Sequence, residues 1–220
     1  SPLISSSLSA TVSSSYDDVC DVLILGSGPS GCAIASLLSS KDSSLDVVVA
    51  NQRYDDDWVP NYGVWKDEWE CVVDRYKDEF DIQISGGAAG NSTDRQWSVT
   101  DCYFGGSFGI PTQQRLRLDR PYCRVDRFAL KEALSDTKNH YRVVKANHIS
   151  EAIGINVYRP AGSILHDEDG TTIQLQPSDQ NAKPITMRTK IVIDTTGHES
   201  KIVLKDTKDP SIPPGFQIAY

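Results

Sequence analysis

Six consecutive residues, Gly26, Ser27, Gly28, Pro29, Ser30 and Gly31, have the types and spacing to hold a phosphate. The glycines at 26, 28 and 31 give G-x-G-x-x-G, and each has a separate task. Gly26 permits a tight turn. Gly28, without a Cβ, lets the backbone come close to a pyrophosphate. Gly31 lets a helix pack closely on the strand before it. The N–H groups at the start of that helix, at the positive end of its dipole, then hold the anion. Three glycines alone are a weak signal, since a purely structural glycine turn can show the same letters. The flanks favour the nucleotide reading. An apolar run at 22–25 leads in, Ala33 and Ala35 keep the next segment slim, and Ile34, Leu37 and Leu38 give it an apolar face.

The elements that must position this turn follow from the hydrophobic pattern. Segment 45–50 (L-D-V-V-V-A) predicts a second buried parallel strand. At its end, about 20 residues past the last glycine, such folds usually carry Asp or Glu against a ribose hydroxyl. Asn51 stands there instead, and its amide oxygen accepts a hydrogen bond without charge. Asp55, Asp56 and Asp57 follow, either as a substitute acid or as a solvated acidic loop. Asp126 is placed to cap a helix that opens on Arg127 and carries Leu130 and Leu134 on one face. Segment 187–193 predicts a strong apolar strand that ends in Asp194, Thr195, Thr196 and Gly197. The fold class expected is α/β: a Rossmann-like domain, a parallel sheet with helices, plus part of a mixed, β-rich substrate domain.

Between these elements the pattern changes. Three of the four tryptophans fall between 58 and 69. Trp65 and Trp69 are four apart and share a face on a helix, as core anchors or as the wall of a large apolar pocket. Segment 80–85 alternates like a strand, 96–100 reads as another, and glycines cluster at 86–90 and 105–109. In 116–125, Pro121 argues for an edge strand or loop over a central strand. A strand-like 141–144 leads into a meander at 149–158, 163–166 and 171–175, with a D-E-D-G turn at 167–170.

Composition bounds the rest. With 39% hydrophobic and 24% charged residues in 220, the chain is globular. A net charge of -8 argues against a nucleic-acid backbone as partner. The five cysteines form no C-x-x-C, and the four histidines, His140, His148, His166 and His198, have no metal-ligand spacing. Residues 1–18 read as a disordered tail or a transit-peptide remnant, rich in serine. Residues 19–220 read as one nucleotide-binding domain with β-rich insertions at about 75–115 and 155–185, incomplete at its C-terminal end.

Five stretches in this order resemble the lycopene cyclases of plants and algae, members of a wider FAD-containing superfamily. They are D-V-L-I-L-G-S-G-P-S-G (21–31), P-N-Y-G-V-W-K-D-E-W-E (60–70), R-P-Y-C-R-V-D-R (120–127), I-D-T-T-G (193–197) and P-G-F-Q-I-A-Y (214–220). The first and fourth occur across the superfamily, whereas N-Y-G-V-W and R-P-Y-x-R-V-x-R are much closer to the cyclases. The resemblance implies closure of the ends of lycopene, or another linear carotene, into β- or ε-ionone rings. It implies reduced FAD as cofactor, NADPH as electron source, a plastid location and peripheral contact with a membrane. By position it implies that Gly26, Ser27, Gly28, Pro29, Ser30 and Gly31 hold the pyrophosphate of FAD, and that Asn51 stands at the ribose. Arg127 would lie near the cofactor, with Asp194 and Gly197 at the strand end beside it. Residue by residue, Arg127 can also be a surface ion pair and Asp194 a turn cap. The family's acidic motif, two adjacent glutamates, is expected beyond Tyr220, which makes this chain a fragment with no catalytic residue of its own to assign. A redox flavoenzyme of the same superfamily, a hydroxylase or polyene reductase, and an inactive nucleotide-binding fragment are the alternatives.

Overall fold

The computed structural model describes residues 16–87, 90–102, 116–135, 141–154, 157–160, 164–179, 181–197 and 202. In chain order the first half holds β1 (Asp18–Leu25), α1 (Pro29–Lys41), β2 (Val47–Ala50), β3 (Gly63–Trp65), α2 (Lys66–Phe80), β4 (Thr93–Trp97), β5 (Thr100–Cys102), β6 (Leu116–Leu118), β7 (Tyr122–Val125) and α3 (Arg127–Ser135). The second half holds β8 (Arg142–Val144), β9 (Ala146–His148), β10 (Ser150–Gly154), β11 (Val157–Pro160), β12 (Ile164–Asp167), β13 (Gly170–Pro177) and β14 (Ile185–Asp194). Of the expected tail at 1–18, residues 1–15 lie outside the described residues, as do the segments 105–109 and 214–220, and β1 already begins at Asp18.

Four parallel strands, in the order β8-β2-β1-β14, form the centre of the main sheet. β14 is long enough to serve two partners. Residues 187–194 pair in parallel with β1, and residues 185–189 pair antiparallel with β13. The antiparallel strands β13, β12 and β9 extend the sheet from that point. The fold is therefore α/β with a parallel core and a mixed margin.

Strand alternation sends the side chains of β1 and β2 to two different layers. Val22, Ile24, Val47 and Val49 face α1, where they meet Ala35 with Ile34 and Leu38 beside it. Leu23, Leu25, Val48 and Ala50 face the other way, against Ile173, Leu175 and Met187. A strand buried on both faces must be apolar at every position, which is why 22–25 and 47–50 read as unbroken apolar runs. The fully buried positions of α1 are small: Gly31, Cys32, Ala35, Ser36 and Ser39. The Ser36 and Ser39 hydroxyls donate to the carbonyls of Ala33 and Ala35 at 2.9 and 2.7 Å, so both are buried satisfied.

Between β2 and β8 the chain builds a second, aromatic layer. A three-stranded antiparallel sheet, β3-β7-β4, sets Trp65 and Trp97 on either side of Tyr122. β7 is its central strand, contrary to the edge or loop placement expected from Pro121. Pro121 precedes the strand, so its missing N–H leaves no gap in the ladder, while its carbonyl accepts the Lys66 N–H at 3.0 Å. Segment 80–85 also differs from expectation. α2 runs to Phe80 and stops at Asp81 in the left-handed region (φ 55°), after which no strand forms. The alternation there is real, but Ile82 and Ile84 are buried from an irregular segment. Trp65 ends β3 and meets Tyr122 edge-on, centroids 5.1 Å apart, and so does not share a helical face with Trp69.

Candidate functional site

The carboxyl ends of three adjacent parallel strands, β2, β1 and β14, lie side by side, the usual place for a ligand in such sheets. Each strand is carried one residue past its end by a backbone hydrogen bond. Gly26 N–H donates to Ala50, Asn51 N–H to Val144 and Thr195 N–H to Leu25. Gly26, Asn51 and Asp194 are thereby brought to one edge.

The three glycines of the turn are needed for different reasons. Gly26 has φ +104°, and a Cβ there would lie 2.7 Å from the Thr195 carbonyl oxygen. At Gly31 a Cβ would lie 2.1 Å from the Gly26 carbonyl oxygen and 2.7 Å from Thr195 Oγ1. Both glycines serve internal packing. At Gly28 a Cβ would meet no atom of the described residues within 4 Å, and the backbone there (φ −69°, ψ 179°) suits any residue. Nothing inside the protein calls for glycine at 28, so the space beside it suits the close approach of a ligand.

Gly28 is also the N-cap of α1, with Pro29 in its first turn, no side-chain cap and no acidic residue in that turn. The helix start is therefore electropositive and uncapped by the protein's own groups, as an anion site requires. These features, with the cleared space at Gly28, fit the pyrophosphate of a dinucleotide.

Two side chains hold the turn in shape. Thr195 Oγ1 donates to the carbonyls of Leu25 and Gly26 within 2.8 and 3.0 Å, locking the end of β14 onto the turn. Trp58, buried at 7% exposure, donates its indole N–H to the Ser27 carbonyl at 2.7 Å. The Cys32 thiol is the second donor to that oxygen, at 3.4 Å, and burial pushes its pKa up to about 11. It stays protonated at neutral pH, a donor and not a nucleophile. Neither Thr195 nor Trp58 was singled out as a site residue from the sequence. Thr195 lies within I-D-T-T-G, and an indole in the otherwise polar D-D-D-W-V-P is the signal that could have marked Trp58 as an anchor.

The remaining expected residues are placed as follows. Asn51 spends its side-chain oxygen on the Arg53 N–H at 2.7 Å, bracing the turn after β2. Asp194 Oδ1 accepts from the N–H and hydroxyl of Thr196 at 2.9 and 2.6 Å, the turn-capping alternative. Gly197 follows with φ +82° and open space at its Cβ position. Asp126 caps α3 by accepting from the N–H groups of Phe128 and Ala129, both at 3.1 Å. Arg127 donates through Nη1 to Asn61 Oδ1 at 3.0 Å and lies over the Phe128 ring. Its Nε is buried with no hydrogen-bond partner among the described residues. A buried, unanswered donor on a cation is costly, and an anionic ligand would answer it. Its link to the glycine turn runs through segment 58–62, where Tyr62 meets the Trp58 ring edge-on at 6.3 Å.

Both readings of the tryptophan-rich stretch find a counterpart. Trp69 packs on the aromatic cluster around α1 and α3 and donates its N–H to the Asn91 carbonyl. With Val72, Tyr76, Leu130 and Ser30 it also lines an apolar cavity of about 230 Å³ next to the start of α1. Among the described residues no group of His, Cys, Asp or Glu could hold a metal, and no helix is long and apolar enough to cross a membrane.

Comparison with known proteins extends this geometry. The profile of the family described as "Lycopene cyclase protein" matches residues 21–220. The chain is 31% identical over 202 residues to the chloroplastic lycopene beta cyclase of Nicotiana tabacum, covering 92% of this chain and 32% of that protein. It thus spans about a third of the length of the curated relatives it matches. Among solved structures, a geranylgeranyl bacteriochlorophyll reductase-like protein from Thermoplasma acidophilum superposes with a TM-score of 0.55 at 16% identity. That match covers 84% of this chain and 41% of that one. A mutant of halogenase PltM in complex with FAD superposes with a TM-score of 0.50 at 18% identity, covering 80% and 34%. At these identities the structures show a shared fold.

Proposed function

Since the chain belongs to the lycopene cyclase family, we propose that it forms the FAD-binding part of an enzyme that closes the ends of lycopene, or another linear carotene, into ionone rings. The observation that carries the reading is the turn itself: a cleared face at Gly28 over an uncapped helix start, in a chain that matches the family from residue 21 onward. The FAD complex of the PltM mutant, which shares the fold, supports the choice of cofactor.

In this reading the backbone N–H groups of Ser27, Gly28, Ser30 and Gly31 hold the pyrophosphate, and Pro29 sets the first helical turn without adding an unpaired donor. Asn51 stands at the ribose. Arg127 turns its buried Nε toward negative charge, and Asp194 and Gly197 shape the strand end beside the cofactor. Ring closure adds a proton to a terminal double bond, passes through a carbocation on the carotene and releases a proton, so it is redox-neutral overall. Bound and reduced by NADPH, FAD would supply fixed negative charge where that cation develops. This chain's residues orient the cofactor; its described carboxylates are not assigned a proton-transfer role. The name of the tobacco relative supports a plastid location, and an apolar polyene that dissolves in bilayers calls for peripheral membrane contact.

The test is expression of the full-length protein in bacteria that accumulate lycopene. Ring-bearing carotenes should appear without net NADPH consumption. Linear lycopene beside a folded, flavin-loaded protein would end the cyclase reading. NADPH oxidised in proportion to product would mark a redox flavoenzyme instead.

A further inference from the structure

Segment 56–62 is a strap across the glycine turn, and it is fixed at both ends. At one end Lys131 Nζ on α3 donates to the Asp56 carbonyl at 2.7 Å. At the other, the Val125 N–H of β7 donates to the Tyr62 carbonyl at 2.8 Å. Between them the Trp58 indole N–H reaches the Ser27 carbonyl at 2.7 Å, with its ring held by Tyr62 and by the apolar cluster that includes Cys32, Leu130 and Leu134.

The consequence lies in the peptide that follows. A trans peptide is planar, so the Ser27 carbonyl and the Gly28 N–H point in opposite directions. Trp58 and Cys32 hold the carbonyl toward the packed strap. The Gly28 N–H is thereby turned away from the strap, at the residue whose Cβ position is empty of protein. A free glycine turn would have to give up its rotational freedom when an anion binds. Here that cost falls on folding instead.

We propose that Trp58 is a positioning residue for the pyrophosphate of a bound dinucleotide: through the Ser27 carbonyl it presets the 27–28 peptide so that Gly28 offers its N–H to the phosphate. The proposal rests on the nucleotide-binding part of the reading above and does not depend on the cyclisation chemistry. It also assigns a purpose to a tryptophan N–H aimed at the carbonyl next in sequence after the two that Thr195 holds.

The test compares Trp58→Phe with the unaltered full chain, using FAD, ADP and adenosine as probes. Phenylalanine keeps an aromatic ring and removes the N–H. One hydrogen bond of this kind corresponds to roughly three- to tenfold in affinity. FAD and ADP should therefore bind roughly three- to tenfold more weakly to the variant, while adenosine, which has no phosphate, binds equally to both. A purely structural role would weaken all three together, and that result overturns the proposal, as does an unchanged ADP affinity. If the unaltered chain binds neither FAD nor ADP, the nucleotide reading falls and takes the proposal with it. Should Trp58→Phe not fold, the unaltered protein supplies a second readout. Donation from Gly28 N–H to a phosphate polarises the 27–28 peptide and strengthens the bond its carbonyl accepts. ADP should then shift the Trp58 indole N–H resonance downfield and adenosine should not, with Trp65, Trp69 and Trp97 as internal references. A Trp58 resonance unmoved by saturating ADP would overturn the proposal.

Discussion

The glycine turn and the β3-β7-β4 sheet both carry stretches that resemble the same family, yet they are built on opposite principles. The turn joins consecutive residues, and its shape follows from what glycine allows at 26, 28 and 31. The small sheet joins residues some 60 positions apart, with Gly63↔Arg124 and Trp65↔Tyr122 in register across β3 and β7. Both use a glycine to admit a close neighbour. At Gly31 the neighbour is a backbone carbonyl, which cannot move aside. At Gly63 it is the Tyr122 side chain, its hydroxyl oxygen 2.1 Å and its ring 2.5 Å from where a Cβ would stand, which can. A glycine that faces backbone is a condition of the fold; one that faces a side chain tunes the packing; one that faces open space with ordinary backbone angles, as at Gly28, leaves room for a ligand.

The widest separation is expected within the turn. Gly31→Ala sets a methyl 2.1 Å from the Gly26 carbonyl oxygen and should cost about 3 kcal/mol or more of stability, or prevent folding. Gly28→Ala should change stability by less than about 1 kcal/mol, because the backbone there already suits alanine while alanine is a poorer N-cap than glycine. It should nevertheless weaken FAD binding by about tenfold or more, since the methyl occupies the approach to the helix start. Thermal unfolding and flavin titration of the two variants check both halves. Equal stability losses at 28 and 31 would erase the distinction between packing and ligand glycines.

A smaller effect is expected in the aromatic sheet. Gly63→Ala pushes the Tyr122 ring off β3 and away from Trp65, for about 1–2 kcal/mol measured by urea unfolding. The half-buried ring can swing outward, which keeps the cost below that at Gly31. Flavin affinity should stay within about twofold, because the β3-β7 pairing lies away from the phosphate turn and reaches it through intermediate packing, the 58–62 strap and the cluster that joins Val64 and Val125 to Cys32. If Gly63→Ala lowers flavin affinity as much as Gly28→Ala, the two regions work as one unit.

How much of this was legible in the sequence follows the same division. β1, α1, β2, α3 and β14 were readable because the cause of each is local: an unbroken apolar run, a small-residue helix face, a capping Asp126. The last two strands of the meander were readable from the D-E-D-G turn, now the hairpin between β12 and β13, but 149–158 divides into β10 and β11, which pair with each other in a sheet of their own. The central place of β7 was not, because it depends on strands distant in sequence, and a proline just before a strand looks the same as one inside it. Segment 80–85 misled for a related reason. Ile82 and Ile84 alternate because the chain runs along a buried surface, but no strand among the described residues pairs with them, and alternation reports burial before it reports pairing. At the turn, the three glycines are legible from their type and spacing, whereas Thr195 and Trp58, whose side chains reach carbonyls distant in sequence, are not.

Asn51 offers the finest test of the division, since it has a local structural task and the place at the end of β2 proposed for a ribose contact. Its oxygen already braces the Arg53 N–H at 2.7 Å, so the residue has a structural task that Asp could perform equally well. Asn51→Asp should therefore keep the turn and change stability by less than about 0.5 kcal/mol. The second carboxylate oxygen would be left for a ribose hydroxyl, and a charged acceptor binds a hydroxyl more strongly than an amide oxygen does. FAD and ADP should both bind about two- to threefold more tightly to the variant, an effect held small by solvent at this half-exposed position. Binding of riboflavin 5′-phosphate, which has no adenosine ribose, should not change. Tighter FAD binding with riboflavin 5′-phosphate unaffected would place Asn51 at the adenosine end of the cofactor, where an amide has replaced the usual acid without giving up the turn. A variant with unchanged FAD affinity would confine Asn51 to its bond with Arg53.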